Sequence, residues 1–535
     1  MRHPRHPRHP RRWLAPWLWL ACALPLAAQA PAPAAPAPPA PSAAGPVVRL
    51  SLAEAYRLAA TNNLGARIAR DERDIAAFDV EIERGVFDWN VWANAGAGRI
   101  EAEDLNPRSS GLGTIFFGDV SVDQSTRAAG VGTSKLFGWG GTVSASFSPS
   151  WTSTDVQQQN HLFGSDQIVA TSFSTINPYG GHLSLAYDQP LLRGRGSVAA
   201  EARLKAAEER ADEAEIVYQL SLIQLLTTTD NLYWDHVFAL QNLLNKREAL
   251  LAAEKQLSED SERVKSGMLA PLELPQVEAS VADRETQVYS AEAAVDNTRA
   301  ALLTFLYADR QRPGGVEIVD QPALVPFGET LGDAERDALA RRPELKLAAG
   351  QVAERLIQER FARNRVLPQL DAVASYTGLA RSQPGAGAAL GDLLTARLPG
   401  YFVGLTLSLP LGNRTARGAF EQSRAAREQA ELAIVNIREN VRLEVQQAYT
   451  ALQASEKQVG AAQKAVDFHV QSLQAETDKL ESGYSTSFFV LQRQDELAQA
   501  RTALIQAQVD YRRALTGFER ATGVLLDRRL PGQAM

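Results

Sequence analysis

The stretch Leu243-Leu-Asn-Lys-Arg-Glu-Ala-Leu250-Leu-Ala-Ala-Glu-Lys-Gln-Leu257-Ser-Glu-Asp-Ser-Glu-Arg-Val264 carries an aliphatic residue at every seventh position. Val459, Val466, Leu473 and Leu480 do the same, each 216 residues after its counterpart, and Tyr233 and Tyr449 share that offset. A seven-residue apolar repeat sustained this long imposes a left-handed coiled coil, because the seam must keep facing a partner. The helical pattern around the first stretch runs from Ser197 to Lys265, on the order of 100 Å of helix. An ordinary amphipathic bundle, whose helices rarely exceed about 25 residues, does not need it.

Each long helix ends in a glycine break, Ser266-Gly267-Met268-Leu269-Ala270-Pro271 and Ser482-Gly483-Tyr484-Ser485-Thr486-Ser487. Glycine supplies the backbone freedom of a helix terminus, and Pro271 suits the start of the next helix. Second helices are expected from Leu272 to Tyr307 and from Phe488 to Thr522, giving two long helical hairpins.

Outward from these hairpins the chain reads twice. The first copy, 49–310, opens with a helix over 52–85 and a strand at Phe87–Ala95. The second, 331–524, opens with a helix over 332–365 and a strand at Leu367–Tyr376, offset by about 280. Leu183-Ser-Leu-Ala-Tyr-Asp-Gln-Pro190 and Leu405-Thr-Leu-Ser-Leu-Pro410 follow at an offset of about 220. The drop of about 60 marks a long insertion, 101–180, in the first copy. The step from 220 to 216 is the size of a four-residue stutter. Residues 311–330 read as an inter-repeat linker and 525–535 as a C-terminal tail.

Val403, Leu405, Leu407 and Leu409 alternate with Gly404, Thr406 and Ser408, and Val143, Ala145 and Phe147 with Thr142, Ser144, Ser146 and Ser148. That pattern suits a strand between lipid and a wet lumen, and equally a soluble sheet with one solvated face. Trp89, Trp92, Phe137, Trp139, Trp151, Tyr179 and Tyr401 near the strand ends are candidates for interfacial girdles. Two strands per copy give about four per chain, too few to close a pore, so several chains must share one wall. Three chains would supply about twelve. A turn at Gly138-Trp-Gly-Gly141 leaves 127–152 as either an added hairpin or an extracellular excursion; excursion is the expectation.

Residues 1–30 read as a secretory signal: five arginines without an acid, an apolar core from Trp13, and Ala28-Gln-Ala30. The Ala/Pro-rich stretch 31–48 is an extended linker. Cys22 is the sole cysteine. It is a lipid-acceptor candidate, but Leu18 stands one place too early for that pattern, so cleavage near Ala30 is the expectation. Loss of the five arginines moves the net charge from −7 to −12, and no basic patch suggests nucleic acid. No later apolar run reaches the roughly 18–20 residues of a membrane helix, so a membrane can be crossed only with strands.

Export, the doubled order of elements, strands ending in Gln-Pro-Leu-Leu or Leu-Pro-Leu-Gly, and glycine-marked tips resemble the TolC-type outer-membrane efflux proteins, over nearly all of 50–524. The resemblance implies an α+β membrane protein: a homotrimer with an outer-membrane β-barrel continued by an α-helical coiled-coil periplasmic barrel. The helices at 52–85 and 332–365 would form its equatorial belt. It implies a duct of a tripartite efflux or type I secretion system, with a periplasmic adaptor (membrane fusion protein) and an inner-membrane pump as partners and no cofactor. Adaptor docking would fall on Gly267, Met268, Leu269 and Ala270 and on Gly483, Tyr484, Ser485 and Thr486.

The family's periplasmic gate maps onto Glu273, which keeps a carboxylate, and onto Phe489 and Gln492, where the acids are absent. The Arg and Tyr of the best-known closed mouth fall on Ser485 and Leu480. Closure by apolar rings, with Phe489 as plug, is therefore expected, and such a constriction can gate by dewetting. Phe489 could equally be a contact within the hairpin.

Against an enzyme stand four scattered histidines outside the signal, His161, His182, His236 and His469, with no His-Glu-x-x-His, P-loop or dinucleotide fingerprint. Met268 is the only methionine at a tip, and no Met or His cluster marks a metal path. A periplasmic coiled-coil adaptor or tether would share the hairpins but lack the doubled strands. The sequence names neither the cargo nor the pump.

Overall fold

A computed structural model describes residues 47–109, 115–162, 168–176, 179–307, 313–325, 327–383, 385, 387–388, 391–392, 395 and 399–531. The signal segment, Cys22 and the Ala/Pro stretch up to 46 lie outside the described residues. The chain begins with strand β1 (Val47–Leu50) and helices α1 (Leu52–Asn62) and α2 (Leu64–Gly85). Ser51 caps α1 by accepting from the Glu54 amide. At the break, Asn63 turns extended and its side chain accepts from the Gly65 and Ala66 amides, which satisfies donors a helix start leaves free.

A sheet follows: β2 (Asn90–Ser109), β3 (Ile115–Leu136), β4 (Thr142–Leu162), β5 (Ile168–Ile176) and β6 (Tyr179–Pro190). It is completed from the second half by β8 (Gln369–Gln383) and β9 (Pro399–Ser408). Neighbours pair antiparallel in the order β2-β3-β4-β6-β8-β9. β5 pairs the upper part of β4 and β6 the lower part (Thr154 opposite Ile176, Trp151 opposite Tyr179), so the two run end to end as one strand position.

The expected four strands per chain are thus six positions, and 127–152 is no excursion. It is the lower half of the β3–β4 hairpin, turned at Phe137–Gly141, where the Phe137 amide donates to the Gly141 carbonyl. The lower half of β4 alternates in polarity, while β3 carries Arg127, Thr133 and Lys135 on the same face as Val131. β2, β3 and β4 are about twice as long as β9.

Long helices leave the sheet from the same end. The one-turn α3 (Ser197–Ala200) leads into α4 (Ala202–Lys265), 64 residues long, and after the tip α5 (Leu274–Leu306) returns. Strand β7 (Gly315–Ile318) pairs parallel with β1, so the expected linker 311–330 closes a small sheet and the 31–48 linker ends in one of its strands. Helices α6 (Leu331–Arg341) and α7 (Pro343–Val366) break at Arg342, before a proline that disfavours helical conformation in its predecessor. α8 (Arg414–Glu481, 68 residues) and α9 (Ser487–Ala521) form the second hairpin. α10 (Leu525–Arg529) buries Leu525 and Leu526 in the core, so the start of the segment read as a tail is docked.

Two apolar cores sit where the short helices meet the long ones. One gathers Leu50, Tyr56, Leu222, Leu226, Tyr233, Trp234, Leu302 and Leu306; the other gathers Ala334, Ala338, Val445, Leu452, Tyr511 and Phe518. In the first, Asp230 is buried and accepts from Tyr56 (2.7 Å) and the Trp234 indole (3.2 Å). Burial raises the Asp230 carboxyl above its ordinary value, and these bonds oppose the rise. No helix among the described residues is long and apolar enough to cross a membrane.

Candidate functional site

Two places carry chemistry: the faces of the sheet and the glycine tips some 60 residues of helix away. Because side chains alternate along a strand and pair across strands, one face can be traced through the register. Leu407 and Leu405 lie opposite Leu370 and Ala372, Ala374 opposite Tyr187, and Tyr187 and Leu185 opposite Val143 and Ala145. These lie opposite Lys135 and Thr133, and Val131 faces Ala93. The other face carries Ser144, Ser146 and Ser184, Ser375, Thr377, Thr406, Asn90 and Asn94, with Ser146 and Ser184 in hydroxyl contact at 3.1 Å.

Aromatic side chains bracket the apolar face. Phe137 stacks on Trp139 (4.4 Å), Trp139 donates to the Tyr187 hydroxyl (3.3 Å), and the Lys135 ammonium sits over Trp89 and Phe137. At the other end Arg127 lies over Trp151, which pairs with Tyr179. Trp92, expected in such a girdle, is instead on the polar face. Its indole lies over Gly132, where a Cβ would come within 2.5 Å of the ring.

At the tips Gly267 and Gly483 adopt φ of +75° and +78°. In the first, the Gly267 amide donates to the Val264 carbonyl and the Met268 amide to Arg263; in the second, Gly483 donates to Leu480 and Tyr484 to Lys479. Both are Schellman closures, which need a left-handed residue. Met268, Leu272 and Tyr484 are 77%, 87% and 87% exposed, Ala270 and Thr486 are exposed, and Leu269 and Ser485 half-buried.

Of the expected gate residues, Glu273 is half-buried and ends the single turn Pro271–Glu273. Phe489 is 45% exposed and packs edge-on against Phe488 at 5.4 Å. Gln492 donates to Glu496 (3.1 Å). Phe488 and Gln492 line a groove of about 380 Å³ against Gln276, Ser280 and Asp283 of α5. Phe488, which the sequence did not single out, thus faces α5 across the groove.

What joins the first hairpin to α9 was also missed. Asp260 is fully buried and accepts from Ser487 (2.8 Å) and Gln256 (3.0 Å), while its second oxygen has no protein partner. Arg284, 3% exposed, donates to the carbonyls of Ala249 (2.7 Å) and Leu491 (3.1 Å) and to Gln494 (3.1 Å). Burial pulls its guanidinium below the ordinary value, and Asp495 opposes that. Asn245 donates to the Ala498 carbonyl (2.8 Å). The available signal was Asp260 at a seam position, three residues after Leu257, where an apolar residue is the rule. The matching carboxylate 216 residues on, Glu476, serves its own tip: it accepts from Ser485, and Ser485 and Lys479 hold it below its ordinary value.

Beside these bonds the seam packs Leu491 of α9 against Ala253 and Val277 of the first hairpin. The two hairpins are thus joined at the tips, at the opposite end of the long helices from the two-faced sheet.

Residues 335–524 match the family model described as outer membrane efflux protein. The chain is 25% identical over 357 residues to the outer membrane efflux protein BepC of Brucella suis, spanning 66% of this chain and 74% of that protein. Among solved structures it is similar to the CmeC outer membrane channel of Campylobacter jejuni (TM-score 0.61, 14% identity, 89% of this chain and 86% of that one). It is similar to the outer membrane protein VceC of Vibrio cholerae as well (TM-score 0.61, 16% identity, 88% and 96%). These two likenesses concern the fold.

Proposed function

We propose that the chain is a TolC-type outer-membrane efflux protein and that three copies of it form the outer-membrane duct of a tripartite efflux or type I secretion system. The observation that carries this reading is the polarity of the sheet, kept in register on β2, β4, β6, β8 and β9 and joined to helices of 64 and 68 residues. Between the aromatic brackets, Val143 to Trp151 is the nine-residue length a tilted membrane strand needs. The apolar face meets lipid, and the serine, threonine and asparagine face lines the lumen. Beyond Trp151, Thr-Ser-Thr-Asp-Val-Gln is polar on both faces and projects outside the membrane.

Strands β2 and β9 are the sheet's two edges. Open edges are not viable in lipid, so each meets the edge of another copy. Three chains of six strand positions give an eighteen-stranded wall, in place of the twelve read from sequence. On α2, Ile68, Ile75 and Ile82 recur at steps of seven and are 59%, 60% and 67% exposed. That is a coiled-coil seam for a neighbouring copy.

At the far end, the tips at Gly267–Ala270 and Gly483–Thr486 offer apolar knobs to a periplasmic adaptor, and an inner-membrane pump supplies the energy. Glu273, Phe489 and Gln492 line the mouth the adaptor opens. An adaptor or tether would not need the two-faced sheet.

The test is biochemical. The mature chain should fractionate with the outer membrane as a heat-modifiable trimer and conduct in planar bilayers. Cysteines placed at Met268 and Tyr484 should crosslink to an adaptor. A carbonate-extractable monomer without conductance overturns the reading.

A further inference from the structure

We propose that α2 of one copy packs antiparallel on α8 of the next, in the register by which α7 packs on α4 inside each chain. The inference rests on the trimer reading above and names the surface that the α2 stripe meets. Beneath the sheet the helices pack side by side in the order α2-α4-α7-α8. The two outer helices continue the two outer strands: α2 runs up into β2, and β9 runs down into α8. A copy that joins its β9 to the next copy's β2 therefore lays α8 beside the next copy's α2.

Both outer helices bare a seam at those edges. On α2, Arg73 reaches Glu215 of α4, while Ile68, Ile75 and Ile82 lie on the far side of the helix and are exposed. On α8, Arg427 reaches Glu359 of α7. Gly418, Ala425 and Leu432, again at steps of seven, lie on its far side and are exposed.

The internal repeat sets how the seams meet. Within the chain Glu213 of α4 lies against Gly350 of α7, where a Cβ would come within 3.2 Å of it, and Arg210 pairs with Glu354 at 2.8 Å. α8 repeats α4 at an offset of 216 to 220, and α7 repeats α2 at about 280. Carried over by those offsets, 429–433 of α8 falls opposite residue 70 of the next α2, and 426–430 opposite residue 74. Inside that window the two heptads coincide when Gly418 meets Ile82, Ala425 meets Ile75 and Leu432 meets Ile68. Glycine and alanine draw the helices close near the sheet, and leucine holds them farther apart below. Asp71, the acid within the α2 stripe, then meets Gln429, whose amide is a donor. The acids flanking the seam (Asp74, Glu81, Glu421 and Glu428) are held within the chain by Arg73, Arg84 and Arg424.

Gly418 has no reason inside the chain. It sits within α8, where glycine weakens a helix, its φ lies outside the left-handed region, and a Cβ built on it meets nothing within 4 Å. A second helix at close approach supplies the reason.

The experiment uses the full chain in outer membranes, with wild type, whose only cysteine is Cys22, as the blank. Oxidation of Ile75→Cys/Ala425→Cys should give a covalent trimer on denaturing gels. The pair displaced by one heptad, Ile75→Cys/Leu432→Cys, should not. Neither should either single variant, because the two surfaces in contact are different. Gly418→Leu should abolish the heat-modifiable oligomer, and Ile82→Ala in the same chain should restore it. Should the first pair fail to assemble, the Gly418→Leu arm decides. A covalent trimer from the displaced pair, an intact oligomer that the first pair does not crosslink, or an oligomer indifferent to Gly418→Leu overturns the register and leaves the duct reading standing. Absence of any oligomer in wild type overturns both.

Discussion

Ser487, the first residue of α9, donates its hydroxyl to Asp260 of α4 at 2.8 Å, and both side chains are sealed from solvent. The bond crosses from one helical hairpin to the other close to the tips, with Gln256 donating to the same oxygen. Each hairpin therefore holds the other near the mouth. Replacing Ser487 by Ala leaves a buried carboxylate short of a donor, a loss of about 1.5–3 kcal/mol for a bond to a charged group. S487A should raise single-channel conductance in planar bilayers and sensitise cells to large antibiotics. Conductance equal to wild type would show that this bond does not hold the mouth shut.

Phe489 offers a second handle on the mouth. It is half exposed beside Phe488, as an apolar ring residue should be in a single chain. Phe489→Ala should widen the closed state and raise conductance, with little effect on stability because so much of the ring is already in solvent. If conductance is unchanged while Phe488→Ala raises it, the plug is the neighbouring ring.

The tip glycines stand in open space, with nothing near enough to meet a Cβ, yet at φ of +75° and +78°. The cost of Gly267→Ala or Gly483→Ala is therefore backbone strain alone, about 1–2 kcal/mol each. Asn, which tolerates the left-handed region, should lose much less. Trypsin digestion at Arg263, Lys265 and Lys479 reads this locally: alanine variants should be cut faster than asparagine variants.

In the wall, Trp92 lies flat over Gly132, within 2.5 Å of where a Cβ would stand. Gly132→Val would drive the indole off the wall and disturb the β2–β3 pairing near its lower end. The expected outcome is loss of the heat-modifiable oligomer, with rescue by Trp92→Ala in the same chain. Absence of rescue would mean the valine acts through something other than the indole.

Acid should loosen the second tip. Glu476 is held below its ordinary value of 4.5 by Ser485 and Lys479. A depressed carboxyl stabilises the fold fully above its unfolded value, and the contribution is lost as pH falls through the folded value. Proteolysis at 482–486 should therefore be flat from neutrality to about pH 4.5 and rise below it. Glu476→Gln should remove that acid step; an unchanged step would assign it to another carboxyl.

The sequence by itself determined whatever is local and periodic. Seven-residue spacing at Leu243, Leu250, Leu257 and Val264 dictated a coiled-coil helix, and Gly267 and Gly483 marked where each helix must turn. Both follow from covalent geometry and burial along one element, so a single chain displays them. Only the tertiary structure decided which elements meet. It placed the β3–β4 hairpin in the wall, because pairing depends on strands far apart in sequence. It turned Trp92 to the polar face, because register fixes direction and composition does not. It brought Asp260 to Ser487, 227 residues on. It also brought Arg193 of the β6–α3 loop to the same cavity as Arg365 of α7, a meeting that no linear reading contains.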